Sequence, residues 1–150
     1  MPSPSRVAGF TLLEILIVVT IIGVLTAILA STLFDRAGIA QRDLASTQIV
    51  RISGILDLYQ VDNGSYPTTD QGLAALVSAP TSGPPPRRYP QRGYARGEEL
   101  LDPWKSPLVY RAPGRVNSSS FDLCSFGPDG QPGGDGSNAD ICNYAGDSPS

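Results

Sequence analysis

The chain has 150 residues, a net charge of −3 at pH 7 and a sequence pI near 4.7. It contains no histidine, which removes the commonest general base and the commonest zinc ligand. The acidic balance argues against a nucleic-acid partner, and the length supports one modest domain with an appendage.

The first nine residues form a short leader that differs from a secretory signal. Arg6 is its only charged residue, and the small pair Ala8-Gly9 precedes the apolar run instead of following it. Cleavage after Gly9 would leave the apolar segment on a mature chain that begins at Phe10. Because Arg6 lies on the leader side, the positive-inside rule places the N-terminus in the cytoplasm.

Residues 10–34 are predicted to form a membrane-spanning helix. No charged side chain occurs in residues 15–34, and roughly 20 apolar residues are enough to cross a bilayer. Glu14 lies at the start of this run, where a carboxylate is costly unless it is paired. Glu14 is therefore a candidate functional residue.

Residues 35–62 are predicted to continue the same helix as an amphipathic segment, because apolar residues recur there at spacings of three and four. Asn63-Gly64 is a stop signal, since both residues tolerate left-handed conformations. The helix is therefore expected from about Thr11 to Val61, and residues 63–150 are expected to form a head domain.

Within the head, Thr69 is predicted to cap a short helix from Asp70 to Val77. Residues 81–92 form a Pro-rich connector that is expected to be an exposed loop. The segment 102–110 leads into a short strand, and a second strand at about residues 120–126 is expected to pair with it. This small sheet would cover the apolar face of the helix.

The two cysteines, Cys124 and Cys142, flank a loop rich in Gly and Asp. An apolar N-terminal segment implies export, and exported proteins form disulfides. A disulfide is therefore the favoured interpretation, and two free thiols are the alternative.

The Gly/Asp-rich loop, residues 126–141, contains three carboxylates among many backbone carbonyls. Calcium takes six to eight oxygen ligands with loose geometry, which such a loop can supply. The loop does not match the EF-hand pattern. From spacing alone, a calcium site and a solvated loop are both compatible with this sequence.

The hexapeptide Gly9-Phe10-Thr11-Leu12-Leu13-Glu14 resembles the N-terminal motif of type IV pilins and pseudopilins. The resemblance implies that a prepilin peptidase cuts after Gly9 and methylates the new N-terminal Phe10. It favours pairing of the Glu14 carboxylate with the α-amino group of a neighbouring subunit. Pairing within one helix stays open as the alternative.

Longer phrases resemble the major pseudopilins of type II secretion systems: YQVDNGSYPTTDQGLAAL at residues 59–76, DPWKSP at residues 102–107 and GPDGQPGG at residues 127–134. The resemblance implies a pilin-like α+β fold. In that fold, a long N-terminal α-helix with a membrane-spanning first half packs on a small antiparallel β-sheet, and a C-terminal Gly/Asp-rich loop binds calcium.

The resemblance also implies the calcium ligands. Family ligand positions correspond to the side chains of Asp129 and Asp140, while Ala139 stands where relatives often have a further ligand. The expected ligands are the side chains of Asp129 and Asp140 and the backbone carbonyls of Phe126 and Gln131. Asp135 and Ser137 are the candidates that could substitute at the position of Ala139.

The function implied is that of a structural subunit, not an enzyme; no P-loop or catalytic motif is present. The subunit would sit in the bacterial inner membrane with its head in the periplasm, and it would polymerise into a periplasmic pseudopilus that drives protein export. Implied partners are further copies of the chain, minor pseudopilins, an inner-membrane assembly platform with its cytoplasmic ATPase, the prepilin peptidase and membrane lipid, with no nucleic acid.

Two alternatives remain at this stage. One is a surface type IV pilus subunit for adhesion, motility or DNA uptake. The other, from a different class, is a membrane-anchored enzyme or calcium-dependent binding domain.

Overall fold

The computed structural model describes residues 11–144, except for the side chains of residues 28–37. The predicted leader, residues 1–9, and the cleavage pair Gly9-Phe10 lie outside the described residues. The chain divides into two compact units, Met1–Ala37 and Gly38–Ser150.

The first helix, α1, spans Leu12–Asn63. It begins after Thr11, whose hydroxyl and carbonyl oxygens accept the amide of Glu14 at 3.2 and 3.1 Å. It ends where Gly64 takes a positive φ of 86°, which a residue with a Cβ rarely adopts. The predicted bounds, Thr11 to Val61, are confirmed to within two residues.

The large apolar side chains of α1 between Leu12 and Leu25 are 47% to 87% exposed. Within the described residues, no helical stretch meets the length and hydropathy needed to cross a membrane. The span predicted over residues 10–34 includes Phe10 and the side chains of residues 28–34, which lie outside the described residues.

The core of the second unit forms on one stripe of α1. Ile49, Ile52, Leu56 and Tyr59 recur at spacings of three and four, and all four are buried. The head residues buried with them are Leu73, Leu76, Ala95, Leu108, Phe121 and Leu123. Each such aliphatic or aromatic side chain contributes about 1.5–3 kcal/mol when it leaves water.

Three short antiparallel strands form one sheet: β1 (Val109–Arg111), β2 (Asp122–Ser125) and β3 (Ile141–Cys142), in the order β1-β2-β3. The predicted pairing of the first two strands is confirmed, with Tyr110 opposite Leu123. The sequence did not predict β3, because two residues are too few to show an alternating pattern.

The second helix, α2, spans Ala74–Val77, so the predicted helix and its end at Val77 are confirmed, whereas its predicted start at Asp70 and cap at Thr69 were wrong. Gly72 takes a positive φ of 59°, which interrupts the helical path. The Thr69 hydroxyl instead donates to the carbonyl of Ala112 at 2.9 Å. A contact with a residue 43 positions away leaves no local signal in the sequence.

The Pro-rich connector, residues 81–92, is free of helix and strand and largely exposed, as predicted. It is nevertheless fastened by hydrogen bonds, among them one from Gln71 and one to Asn63. The Gln71 side-chain amide donates to the Ser82 carbonyl at 2.7 Å, and the Arg88 amide donates to the Asn63 side chain at 2.9 Å. The second contact ties the connector to the end of α1.

Candidate metal and assembly sites

The Gly/Asp-rich loop runs from β2 to β3 and contains two short 3-10 turns, Gly127–Asp129 and Gly136–Asn138. The two arms of the loop lie close together. The Asp140 amide donates to the Gly133 carbonyl at 3.2 Å, and a Cβ placed on Gly134 would lie 2.6 Å from the Asn138 carbonyl oxygen. Only glycine fits at residue 134, so its presence closes the loop.

The predicted carboxylate ligands lie within this loop at different depths. Asp129 and Asp135 are exposed, and Asp140 is half-buried. Asp129 accepts the Gln131 amide at 3.1 Å, and Asp140 accepts the Gly133 amide at 3.0 Å. Among residues 11–144, no group of three or more His, Cys, Asp or Glu side chains is placed to hold a metal ion.

Arg42 of α1 contacts the same loop, a contact that the sequence did not indicate. Its guanidinium donates to the carbonyl oxygens of Ser137 and Ala139 at 2.9 and 2.7 Å. These carbonyls lie 95 and 97 residues away along the chain, so no local pattern marks the pairing. Arg42 therefore fastens the second arm of the loop to the helix.

The loop carries oxygen donors of the kind that calcium takes, carboxylates and backbone carbonyls. Its two arms approach closely at Gly134, where a Cβ would meet the Asn138 carbonyl. Arg42 engages the backbone carbonyls of Ser137 and Ala139, whereas the predicted side-chain ligands are Asp129 and Asp140, with Asp135 or Ser137 as further candidates.

A disulfide bond joins Cys124 of β2 to Cys142 of β3, which are opposite one another in the sheet. The two cysteines are 18 residues apart in the sequence. The bond closes the Gly/Asp-rich loop covalently at its base.

Asp102, in the DPW phrase, organises the turn that lies beside this loop. It is 2% exposed, and its Oδ1 accepts the amides of Trp104 and Ser106 at 3.0 and 2.8 Å. This role was not among the predictions from the sequence. The DPW phrase itself indicates it, because an Asp side chain commonly accepts backbone N–H groups a few residues ahead in a turn.

Glu14 lies in the first turn of α1 and is exposed. A carboxylate there interacts favourably with the positive end of the helix dipole. The residue that the sequence analysis missed is Thr11, the N-cap. Thr11-Leu12-Leu13-Glu14 has the spacing of a capping box, which marks a helix start. The proposed partner of Glu14, the amine of Phe10, lies outside the described residues.

The side chains of Arg51 and Gln48 join α1 to the segment before the DPW turn. Glu99 accepts the Arg96 amide and pairs with the Arg51 guanidinium, and these two interactions lower the pKa of the Glu99 carboxyl. The Gln48 side-chain amide donates to the Glu99 carbonyl at 2.7 Å.

Comparison with known families gives two matches. Residues 32–144 match the family described as type II secretion system (T2SS), protein G. Residues 4–30 match the prokaryotic N-terminal methylation motif, which covers Gly9, Phe10 and Glu14.

Individual relatives agree with these matches. Type II secretion system core protein G of Pseudomonas aeruginosa is 42% identical, covering 91% of this chain and 94% of the relative. The protein of the same name from Vibrio cholerae is 42% identical and covers 96% of each chain. The crystal structure of the major pseudopilin from the type 2 secretion system of enterohaemorrhagic Escherichia coli is similar at a TM-score of 0.63 and 40% identity, covering 74% of this chain and 88% of that one.

Proposed function

The chain belongs to the type II secretion system protein G family, and on that premise we propose that it is the structural subunit that polymerises into the pseudopilus and drives protein export across the outer membrane. The observation that carries this function is the family match over residues 32–144, which spans most of the head and the second half of α1. The relatives are named type II secretion proteins, so the alternative of a surface type IV pilus subunit receives no support.

Members of the family are structural components of the secretion system, and in our proposal the subunit does not act as an enzyme. The chain has no histidine. The work of assembly comes from the cytoplasmic ATPase, which acts through the inner-membrane assembly platform.

Processing by a prepilin peptidase prepares the subunit for assembly. The enzyme cuts between Gly9 and Phe10 and methylates the new N-terminus, and the match to the methylation motif over residues 4–30 supports this step. The Thr11 cap supports it too, because the residue that caps the helix stays on the mature chain after the cut.

Glu14 joins neighbouring subunits. Its carboxylate and the amine of Phe10 are opposite charges at the same depth of an apolar segment, and each is costly there without a partner. In a helical stack, the amine of one subunit pairs with the Glu14 carboxylate of the next. The exposure of the apolar residues around Glu14 in the single chain supports this role, because their surface is available for neighbours.

Before assembly, the apolar segment anchors the subunit in the inner membrane with a cytoplasmic N-terminus and a periplasmic head. The uncharged run from residue 15 to residue 34 supports the anchor, and the disulfide supports an oxidising compartment for the head. Minor pseudopilins and membrane lipid complete the proposed partners.

Calcium binds the Gly/Asp-rich loop in this proposal and stabilises its closed form. Asp129, Asp140 and the carbonyls of Phe126 and Gln131 would hold the ion, with Asp135 or Ser137 as further candidates at the position that Ala139 cannot fill. The oxygen donors and the tight approach of the loop arms support this assignment.

The test of the function is deletion of the gene in its host, with complementation by the intact gene. We expect the exported substrates of the type II system to accumulate in the periplasm and surface fibres to remain. Complementation should restore release to the medium. Intact secretion together with loss of surface fibres would overturn the assignment in favour of a pilus.

A further inference from the structure

We propose that Asp102 is a positioning residue that fixes the start of the Gly/Asp-rich loop through the hydroxyl of Ser125. The two residues are 23 positions apart, and neither belongs to the predicted ligand set. The proposal is independent of calcium, because every contact that carries it is made within the chain itself.

The first step is the burial of the carboxylate. Asp102 is 2% exposed, and the ion pairs found among the described residues do not include it. A buried carboxylate must be compensated, and here hydrogen bonds do so. Oδ1 accepts the amides of Trp104 and Ser106, which leaves Oδ2 to accept a donor from another segment.

The second step is the direction of the hydrogen bonds. Oδ2 accepts the Ser125 hydroxyl at 2.6 Å, and Ser125 is 0% exposed. The hydroxyl proton of Ser125 therefore points at Asp102. The Ser125 oxygen is then left as an acceptor, and it accepts the Gly127 amide at 3.2 Å. The acceptor at Asp102 thereby sets which atom of the loop Ser125 can hold.

The third step links this bond to the proposed calcium site. The Gly127 N–H and the Phe126 carbonyl belong to one planar peptide unit, so a bond that fixes the amide also fixes the carbonyl. Gly127 is the first residue of the first 3-10 turn, and a Cβ placed on it would lie 3.5 Å from the Asn138 carbonyl. Asp102 and Ser125 therefore orient the Phe126 carbonyl and place the first arm of the loop against the second.

The test compares hydrogen exchange in the full chain, purified in detergent micelles without calcium. Ser125→Ala removes the hydroxyl that connects Asp102 to Gly127. Thr69→Ala is the matched control, because the Thr69 hydroxyl also makes two hydrogen bonds, to the Ala112 amide and carbonyl, outside the loop. Asp102→Asn keeps the side-chain volume but replaces one acceptor oxygen by a donor.

We expect the amides of Gly127, Asp129 and Gly130 to exchange about tenfold faster in Ser125→Ala, the factor that loss of one buried hydrogen bond gives. Asp102→Asn should change the same amides in the same direction, and Thr69→Ala should leave them unchanged. In a calcium titration of the same samples, Ser125→Ala should raise the calcium concentration at half-saturation.

Unchanged exchange at residues 127–130 in Ser125→Ala would overturn the proposal. An equal acceleration of amide exchange in β2 and in the buried stripe of α1 would also overturn it, because that result would mean that the whole head is destabilised. If Ser125→Ala does not fold, Asp102→Asn decides by the same criterion. If the intact chain shows no response to calcium but Ser125→Ala loosens the loop, the positioning role is upheld and the calcium site fails.

Discussion

Apolar side chains occur at both ends of α1, but their exposure differs between residues 12–27 and residues 49–59. In the first region, the apolar half, they are exposed around the whole helix, with Leu16 59% exposed. In the second region, the head half, a stripe of one face is buried by the head, and Leu56 is 0% exposed. The head half is therefore covered within the chain, whereas the described side chains of the apolar half stay exposed in the single chain.

The difference follows from sequence pattern. Apolar residues on every face of a helix cannot all be covered by one small head, and such a helix needs surroundings that are apolar on all sides. Apolar residues on one stripe can be covered by a short sheet. A substitution in the apolar half should therefore affect assembly without affecting the fold of the head, and a substitution in the buried stripe of the head half should destabilise the head itself.

The largest effect is expected for Glu14→Leu. The variant should insert in the membrane and fold its head normally but fail to form filaments, because the amine of each neighbour loses its partner. Filament yield in cells and head stability in detergent micelles measure the two properties separately. Normal filament formation by this variant would contradict the pairing, and Glu14→Asp is the control that keeps the charge.

Leu56→Ala should destabilise the head by about 2–5 kcal/mol, because it removes buried methyl groups and leaves a cavity. Two controls use the same substitution on α1. Leu58→Ala, at a side chain that is 52% exposed, and Leu16→Ala, in the apolar half, should each change head stability by less than about 0.5 kcal/mol. Urea unfolding of the full chain in micelles gives all three values. Equal losses at Leu56 and Leu58 would mean that the head does not cover one stripe of the helix.

Replacing both cysteines by serine should cost about 3 kcal/mol, since the bond closes a loop of under 20 residues in the unfolded chain. Assembly should persist where the head stays folded, because the disulfide lies in the head and not in the apolar half. Calcium should raise the melting temperature more in the double variant than in the oxidised chain. A mass measurement of the mature protein without reductant checks the bond, the cleavage site and the methylation together.

The smallest effect is expected for Glu99→Gln. Hydrogen bonding from Arg96 and pairing with Arg51 hold the pKa of Glu99 below its ordinary value of 4.5, so the carboxylate stabilises the fold above that pH. The contribution is lost as the pH falls through the lowered pKa. Because Arg51 is largely exposed, the loss at pH 7 should stay below about 1 kcal/mol. The free energies of unfolding of the unsubstituted chain and of Glu99→Gln should converge as the pH drops. A difference between them that persists at low pH would exclude this explanation.

Local patterns in the sequence predicted the parts of the fold that depend on near neighbours. The spacing of Ile49, Ile52 and Leu56 predicted the buried stripe, and Asn63-Gly64 predicted the end of α1. The pairing of β1 with β2 followed from two short strand-like segments. These features depend on residues that are close together in the sequence, where hydrophobic periodicity and turn-forming residues are informative.

Contacts between distant segments could not be predicted in this way. Arg42 reaches carbonyls more than 90 residues away, and Asp102 reaches Ser125 across the fold. Thr69 looked like a helix cap because it precedes a helix-like segment, yet its hydroxyl bonds Ala112. Such pairings depend on how the chain folds back on itself, and a single sequence does not record them. The calcium ligands remain a prediction from the family resemblance.

The fastening of the Pro-rich connector determines where a reporter peptide can be placed in a working filament. The carbonyls of Ser82 and Pro84 are held by Gln71, and the Arg88 amide is held by Asn63. Residues 85–87 lie between these anchors, and lengthening a connection there adds little closure entropy. A short dye-binding peptide inserted at residues 85–87 would therefore leave the head intact and label the subunit within an assembled filament.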